Sequence, residues 1–150
     1  MCGIAGLLGN GSLEDTISMA SAIGHRGPDG SGDFQASVEQ NDGSVAFSHA
    51  RLSIIDLDGS QQPIHSDHGC VLMVNGEIYN HKKIKSELQD YPFRTAGDSE
   101  TILALHRTHS WNRTPGDNPA QRHVEWVSKL DGMWGFSLWD PSANELILCR

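Results

Sequence analysis

Short apolar runs and two changes of period divide this 150-residue chain into predicted elements. The run Gly3 to Leu8 is apolar and punctuated by glycine, the pattern of a short buried strand. Gly9-Asn10-Gly11 closes it as a turn. Leu13, Ile17, Ala20 and Ile23 then recur at helical spacing behind Ser12, a plausible N-cap with Asp15 three residues on. The spacing predicts an amphipathic helix over 13–23 that ends at Gly24. The run from His25 to Gly32 holds three glycines, a proline and both signs of charge. It is expected as a mobile loop with no regular element.

Alternation returns with Phe34 to Val38 and Ser44 to Ser48, and Asn41-Asp42-Gly43 between them predicts a hairpin. His49 to Asp56 reads as a further strand. Asp58-Gly59-Ser60 is a turn, and Gln61 to Ile64 starts a connection. Cys70 to Val74 is apolar at every position, so this strand is expected to be buried on both faces. It runs straight into Asn75-Gly76-Glu77. Residues 78–90 are expected to be helical, with Ile78, Ile84 and Leu88 inward. Asp98 or Ser99 would cap a second helix whose apolar face is Ile102, Leu103 and Leu105. A polar loop over 108–122 and a short helix over 123–130 follow. Met133 to Asp140 is an aromatic-rich strand, Pro141 to Asn144 a turn, and Glu145 to Cys149 the return strand. Antiparallel hairpins with helices inserted in blocks favour an α+β sandwich over a doubly wound parallel sheet.

Composition narrows the function classes. The chain is 37% hydrophobic and 20% charged, ordinary for one globular domain spanning 1–150. A formal net charge of −8 argues against nucleic acid or an anionic membrane as partner. The only basic cluster is Lys82, Lys83 and Lys85. No apolar run reaches membrane-span length, and the start lacks a secretory pattern, so a cytoplasmic location is expected. Three widely spaced cysteines, Cys2, Cys70 and Cys149, make a disulfide framework unlikely on number and spacing.

Chemistry enters at the first residues. Cys2 follows the initiator methionine directly. Removal of Met1 would put a thiol and a free α-amine on one residue, so nucleophile and general base could coincide. An inert buried cysteine is the plain alternative. Arg51 heads an apolar strand and has the fork to hold a carboxylate, or could make a surface ion pair. Asn75-Gly76 could offer an amide and a closely approaching backbone N–H as an oxyanion hole, or could be a simple turn. Asp98 could bind an ammonium group or cap a helix, and Glu77 is similarly ambiguous. His25 and His49 could be acid–base groups, though solvated histidines are the commoner outcome. The close histidine pairs, His65/His68 and His106/His109, lack a partner at zinc spacing, so no metal site is expected.

Taken together, these motifs resemble one family. Met1-Cys2-Gly3-Ile4-Ala5-Gly6, His25-Arg26-Gly27-Pro28-Asp29, Arg51-Leu52-Ser53-Ile54-Ile55-Asp56-Leu57 and Gln62-Pro63 stand in the order seen in class II glutamine amidotransferase domains. So do Asn75-Gly76-Glu77-Ile78-Tyr79-Asn80, Gly97-Asp98-Ser99-Glu100-Thr101-Ile102 and Leu130-Asp131-Gly132-Met133. Asn75 to Asn80 is most similar to the glutaminase domain of glutamine-hydrolysing asparagine synthetases. The resemblance implies an N-terminal nucleophile hydrolase with a four-layer αββα sandwich. It implies that Cys2 attacks the side-chain amide of L-glutamine, with Asn75 and Gly76 binding the oxyanion. Arg51, Glu77, Asp98 and the backbone of Ile54 and Ile55 would bind substrate, and His25 to Asp29 would cover it. It implies no cofactor in this chain, since ATP and Mg would belong to a synthetase domain for which no Ser-Gly-Gly loop is present. Relative to that family the chain is expected to lack the C-terminal strands, which leaves a sheet edge open. A catalytically silent module that senses glutamine or docks on a synthetase is the alternative.

Overall fold

The computed structural model describes residues 2–38, 43–53, 61–110 and 118–150. The chain order is β1 (Gly3–Gly9), α1 (Leu13–Ala22), β2 (Gly30–Val38), β3 (Gly43–Arg51), β4 (Ile64–His65), β5 (Val71–Ile78), α2 (His81–Glu87), α3 (Glu100–Ser110), α4 (Pro119–Val127), β6 (Gly132–Asp140) and β7 (Glu145–Cys149). The strands form two antiparallel sheets, ordered β1-β3-β2 and β4-β5-β6-β7.

Alternation of side chains about each strand places the layers. Val45 and Phe47 of β3 meet Val71, Met73 and Trp139 of the second sheet, with Ile4, Phe34 and Leu146 against them. The opposite face of β5 and β6, through Leu72, Val74, Phe136 and Leu138, packs on Ile84, Ile102, Leu103, Leu105 and Trp126 from the helices. Helix α1 covers the outside of the first sheet, where Thr16 Oγ1 lies 2.9 Å from Ser48 Oγ. The result is the expected α+β architecture with layers in the order helix, sheet, sheet, helix.

Local chemistry explains most boundaries. Ser12 and Asp15 form a reciprocal capping box: Asp15 N–H donates to Ser12 Oγ at 3.2 Å, and Ser12 N–H to Asp15 Oδ2 at 2.9 Å. The inward face of α1 differs from the expectation. Thr16 and Ala20 are buried, whereas Ile17 is 40% exposed. The small residues allow α1 to lie close on Ser48 and Ala50, which turns Ile17 to the rim.

Other expectations need correction. The segment 25–32 is not a featureless loop: Gly24–Arg26 is a 3-10 turn and β2 begins at Gly30. Residues 43–51 are one strand rather than two, because β3 pairs continuously with β1 and β2 on its two edges. Asn75-Gly76 is not a turn. Strand β5 continues through it to Ile78, held in register opposite Gly135 and Trp134 of β6. Gly76 has φ +151°, and a Cβ there would lie 2.1 Å from the Met133 carbonyl oxygen, so glycine alone fits this crossing. Helix α2 therefore starts at His81, not residue 78. Helix α4 starts at Pro119, behind the Asn118 cap, rather than at 123. The predicted hairpin turn at 41–42 and the middle of the 108–122 loop lie outside the described residues. Among the described residues, no helix is long and apolar enough to cross a membrane.

Candidate functional site

Three strand ends meet at one end of the sandwich: the start of β1, the end of β3 and the end of β5. In the register of the first sheet Gly3 faces Ala50, so Cys2 enters beside Arg51. The Cys2 sulfur is held from both sides of one residue. Leu52 N–H donates to Sγ at 3.3 Å, and the thiol points to the Leu52 carbonyl at 3.6 Å. Arg26 Nε donates to the Cys2 carbonyl at 3.1 Å. The chain start is thus fixed by contacts 24 and 50 residues away.

The turn that carries Arg26 is itself braced on β3. Asp29 N–H donates to the Arg51 carbonyl at 2.9 Å, and Ser53 N–H donates to Asp29 Oδ2 at 2.8 Å. Gly27 lies against the β3 backbone, and a Cβ there would sit 2.2 Å from the Ala50 carbonyl oxygen. This segment was expected to cover substrate; in the structure it anchors the Cys2 backbone through Arg26. The motif His25 to Asp29 was visible in the sequence, but the Arg26 contact to Cys2 was not.

Arg51 is 9% exposed, on the face of β3 shared with Phe47 and His49. That burial removes the surface-ion-pair reading. His49 is fully buried rather than solvated, and its Nε2 lies 3.3 Å from the Val74 carbonyl oxygen. Burial pushes its pKa below the ordinary histidine value, and the nearby Arg51 charge acts in the same direction, while the Val74 hydrogen bond opposes them. His49 is therefore neutral, with the Nε2 proton donated to Val74.

The β4-side edge of β5 supplies the most informative geometry. Strand β4 pairs only as far as Leu72. In an antiparallel ladder the backbone groups of alternate residues point to the same edge, so Val74, Gly76 and Ile78 all face this side. Val74 N–H donates to Gln62 Oε1 at 2.5 Å. Ile78 N–H donates to Asp98 Oδ2 at 2.6 Å. Gly76 N–H lies between these two side-chain caps, with no described strand beside it. The Asn75 amide is next to it, and its Oδ1 is buried without a hydrogen-bond partner.

Asp98 is buried and its carboxylate serves β5 rather than the start of α3; its backbone carbonyl accepts from Thr101 N–H instead. Glu77 is exposed on β5, next to Ile78, whose N–H donates to Asp98. The structure thus places Cys2 beside Arg51 at the end of β3, and Asn75, Gly76 and Glu77 at the end of β5 with Asp98 bonded to Ile78; the His49 Nε2 to Val74 carbonyl contact links the two strands. Ile54 and Ile55 lie outside the described residues. His25 is exposed on the turn with no hydrogen bond to the cluster shown.

The close histidine pairs do not form a ligand set with each other. Among the described residues one mixed group has metal-ligating atoms near one another: Cys70, His106 and Asp140, all within 4.8 Å and buried on the helix side of the second sheet. His106 Nε2 is 3.6 Å from Asp140 Oδ2, while Asp140 Oδ1 takes Ser142 N–H at 2.9 Å and Ser142 Oγ–H at 2.6 Å. This group ties α3 to the β6–β7 turn, away from Cys2.

Comparison with known proteins fits this arrangement. The family model described as "Glutamine amidotransferase domain" matches residues 1–150. Asparagine synthetase [glutamine-hydrolyzing] 2 of Bacillus subtilis is 36% identical over 158 residues, covering 100% of this chain and 19% of that protein. The asparagine synthetase [glutamine-hydrolyzing] of Asparagus officinalis is 34% identical over 156 residues, again covering 100% of this chain and 23% of its own length. The chain thus spans about a fifth to a quarter of the curated relatives it matches. Among solved structures, glutamine phosphoribosylpyrophosphate amidotransferase from B. subtilis superposes with TM-score 0.68 at 16% identity, covering 94% of this chain and 35% of that one. That likeness is one of fold.

Proposed function

Because the chain belongs to the glutamine amidotransferase domain family, we propose that it hydrolyses L-glutamine to L-glutamate and ammonia, with Cys2 as the nucleophile. The observation that carries this reading is the pair of hydrogen bonds between the Cys2 sulfur and the Leu52 backbone, which holds the Cys2 thiol at the site end of the sandwich.

With Met1 removed, the α-amine of Cys2 takes the thiol proton as Sγ attacks the side-chain carbonyl of glutamine. The carbonyl π electrons move to oxygen. That oxyanion is met by the Gly76 N–H on the β4-side edge of β5 and by the Asn75 amide; losing one such donor typically costs about 100- to 1000-fold in rate. Collapse expels ammonia, which leaves with the proton held by the α-amine, and a thioester remains on Cys2. Water then adds, the same oxyanion site is used again, and glutamate leaves as the thiol is restored. Arg51 holds the α-carboxylate in a bidentate contact. Asp98 and Glu77 receive the α-ammonium, with the Ile54 and Ile55 backbone completing the site. None of these steps calls on a cofactor.

The relatives' names support the use of the ammonia in asparagine synthesis by a synthetase domain or chain. The test is direct. Cys2→Ala is expected to abolish ammonia release from glutamine while the thermal melt stays within a few degrees. Intact-mass analysis is expected to show loss of Met1 in active protein. Activity retained by Cys2→Ala, or full activity with Met1 in place, overturns the assignment.

A further inference from the structure

Gln62 has a backbone-like role at the candidate oxyanion site. Its side-chain amide accepts from Val74 N–H at 2.5 Å and donates through Nε2 to the Val74 carbonyl at 3.0 Å. These are the two bonds that a neighbouring strand would make, supplied at the point where β4 has ended. The same Val74 carbonyl also accepts from His49 Nε2 at 3.3 Å. One peptide group, directly before Asn75, is therefore fixed by side chains from two other segments. Gln62 is held in turn by the first sheet: Gly32 of β2 packs on it so closely that a Cβ would lie 1.8 Å from the Gln62 carbonyl oxygen.

We propose that Gln62, with His49 behind it, is a positioning residue that sets the orientation of the Asn75-Gly76 oxyanion hole. The inference rests on the glutaminase reading above. Val74 is clamped by Gln62 and Ile78 by Asp98, so the peptide between them has its direction fixed at both ends. Gly76 has no side chain to resist rotation and depends on these clamps. Without the Gln62 amide, the Val74 peptide tilts toward solvent, and the Gly76 N–H and Asn75 amide lose their aim. Neither Gln62 nor His49 needs to touch substrate for this effect.

The test uses Gln62→Met, which keeps length and volume and removes both bonds, and Gln62→Glu, which keeps the acceptor for Val74 N–H. Steady-state glutamine hydrolysis is measured with each. Binding of glutamate γ-semialdehyde is measured in parallel, because its adduct with Cys2 is tetrahedral and needs the same oxyanion donors. Misplacement by about an ångström costs roughly 100-fold. Gln62→Met is therefore expected to lower kcat by about 10- to 100-fold with KM within about threefold. Affinity for the aldehyde is expected to fall in parallel, and Gln62→Glu to recover part of both. The rate of Cys2 alkylation by iodoacetamide is expected to stay unchanged, since the Leu52 contacts are untouched. In an Asn75→Ala background the further loss from Gln62→Met is expected to be much smaller than in wild type. Unchanged kcat and aldehyde affinity, a loss carried by KM, or full additivity with Asn75→Ala would each overturn the proposal. Wild-type protein that binds no aldehyde and releases no ammonia fails the glutaminase reading itself, a result distinct from a normal wild type with an indifferent Gln62→Met.

Discussion

Replacing Gly27 by alanine tests how Cys2 is held. Gly27 has φ −149°, so the conformation itself suits any residue and the cost is one of space. The new Cβ would lie 2.2 Å from the Ala50 carbonyl oxygen, 2.3 Å from the Ala50 carbonyl carbon and 2.6 Å from the Arg51 carbonyl carbon. These are backbone atoms in the middle strand of a three-stranded sheet, and they cannot give way. Ordinary contacts need about 3.5 Å, so the turn must retreat by roughly an ångström. Three hydrogen bonds depend on its position: Arg26 Nε to the Cys2 carbonyl, Asp29 N–H to the Arg51 carbonyl, and Ser53 N–H to Asp29 Oδ2. At about 0.5–1.5 kcal/mol each, their loss amounts to about 2–4 kcal/mol. For a chain of this size that is a drop in Tm of about 5–15 °C. Under the proposed function, kcat/KM for glutamine should fall by about 100-fold, because Cys2 loses the Arg26 bond that holds its carbonyl. Urea denaturation and a coupled glutamate assay read the two effects. Gly24→Ala is the control, since a Cβ at Gly24 meets nothing within 4 Å. A Gly27→Ala protein with wild-type midpoint and activity would refute the reasoning.

Three further outcomes are expected. Trp126 is fully buried against Phe136, with ring centroids 5.9 Å apart, and Trp126→Ala should cost about 3–5 kcal/mol in urea denaturation; a loss under 1 kcal/mol would mean that α4 is not packed as described. His49 is kept neutral in the fold by burial, so the unfolded chain binds the extra proton as pH falls. The stability tied to His49 is thus complete above about pH 6.5 and declines below it, and His49→Gln should flatten that part of the pH profile of the urea midpoint. A thiol reagent near neutral pH should label Cys2 first and Cys149 next, because burial raises the Cys149 thiol above its usual range, and should spare buried Cys70 until the chain unfolds; peptide mapping that finds Cys70 labelled early would contradict the core.

The sequence pattern carried much of the fold. The capping box at Ser12, the apolar β5 and the β6–β7 hairpin stand where alternation and turn residues put them. It failed where a long-range contact overrules a local preference. Asn75-Gly76 has the statistics of a turn, but β6 pairs with both residues and keeps them in a strand. Ile17 fits a helical stripe, yet the close seat of α1 on β3 favours Thr16 and Ala20. At the candidate site, Cys2, Arg51, Asn75, Gly76, Glu77 and Asp98 could be singled out by motif. Their supports could not. A buried Arg51, a neutral His49 and a glutamine side chain that stands in for a strand depend on which segments the two sheets bring together. Gln62 was visible only as part of a dipeptide before proline, with no local signal for its role.

The anchoring of Cys2 also sets an order of events during folding. Strand β1 does not pair with the next strand in the chain but with β3, and the sulfur bonds to a residue 50 positions ahead. Closing so long a loop is entropically slow compared with forming the β2–β3 hairpin or the β6–β7 hairpin. While the chain is being synthesised, β1 therefore waits without its partner until residues 43–52 have emerged. Only when β3 docks does the thiol gain its position against the Leu52 backbone. The Cys2 thiol is thus put in place only by a residue made 50 positions later.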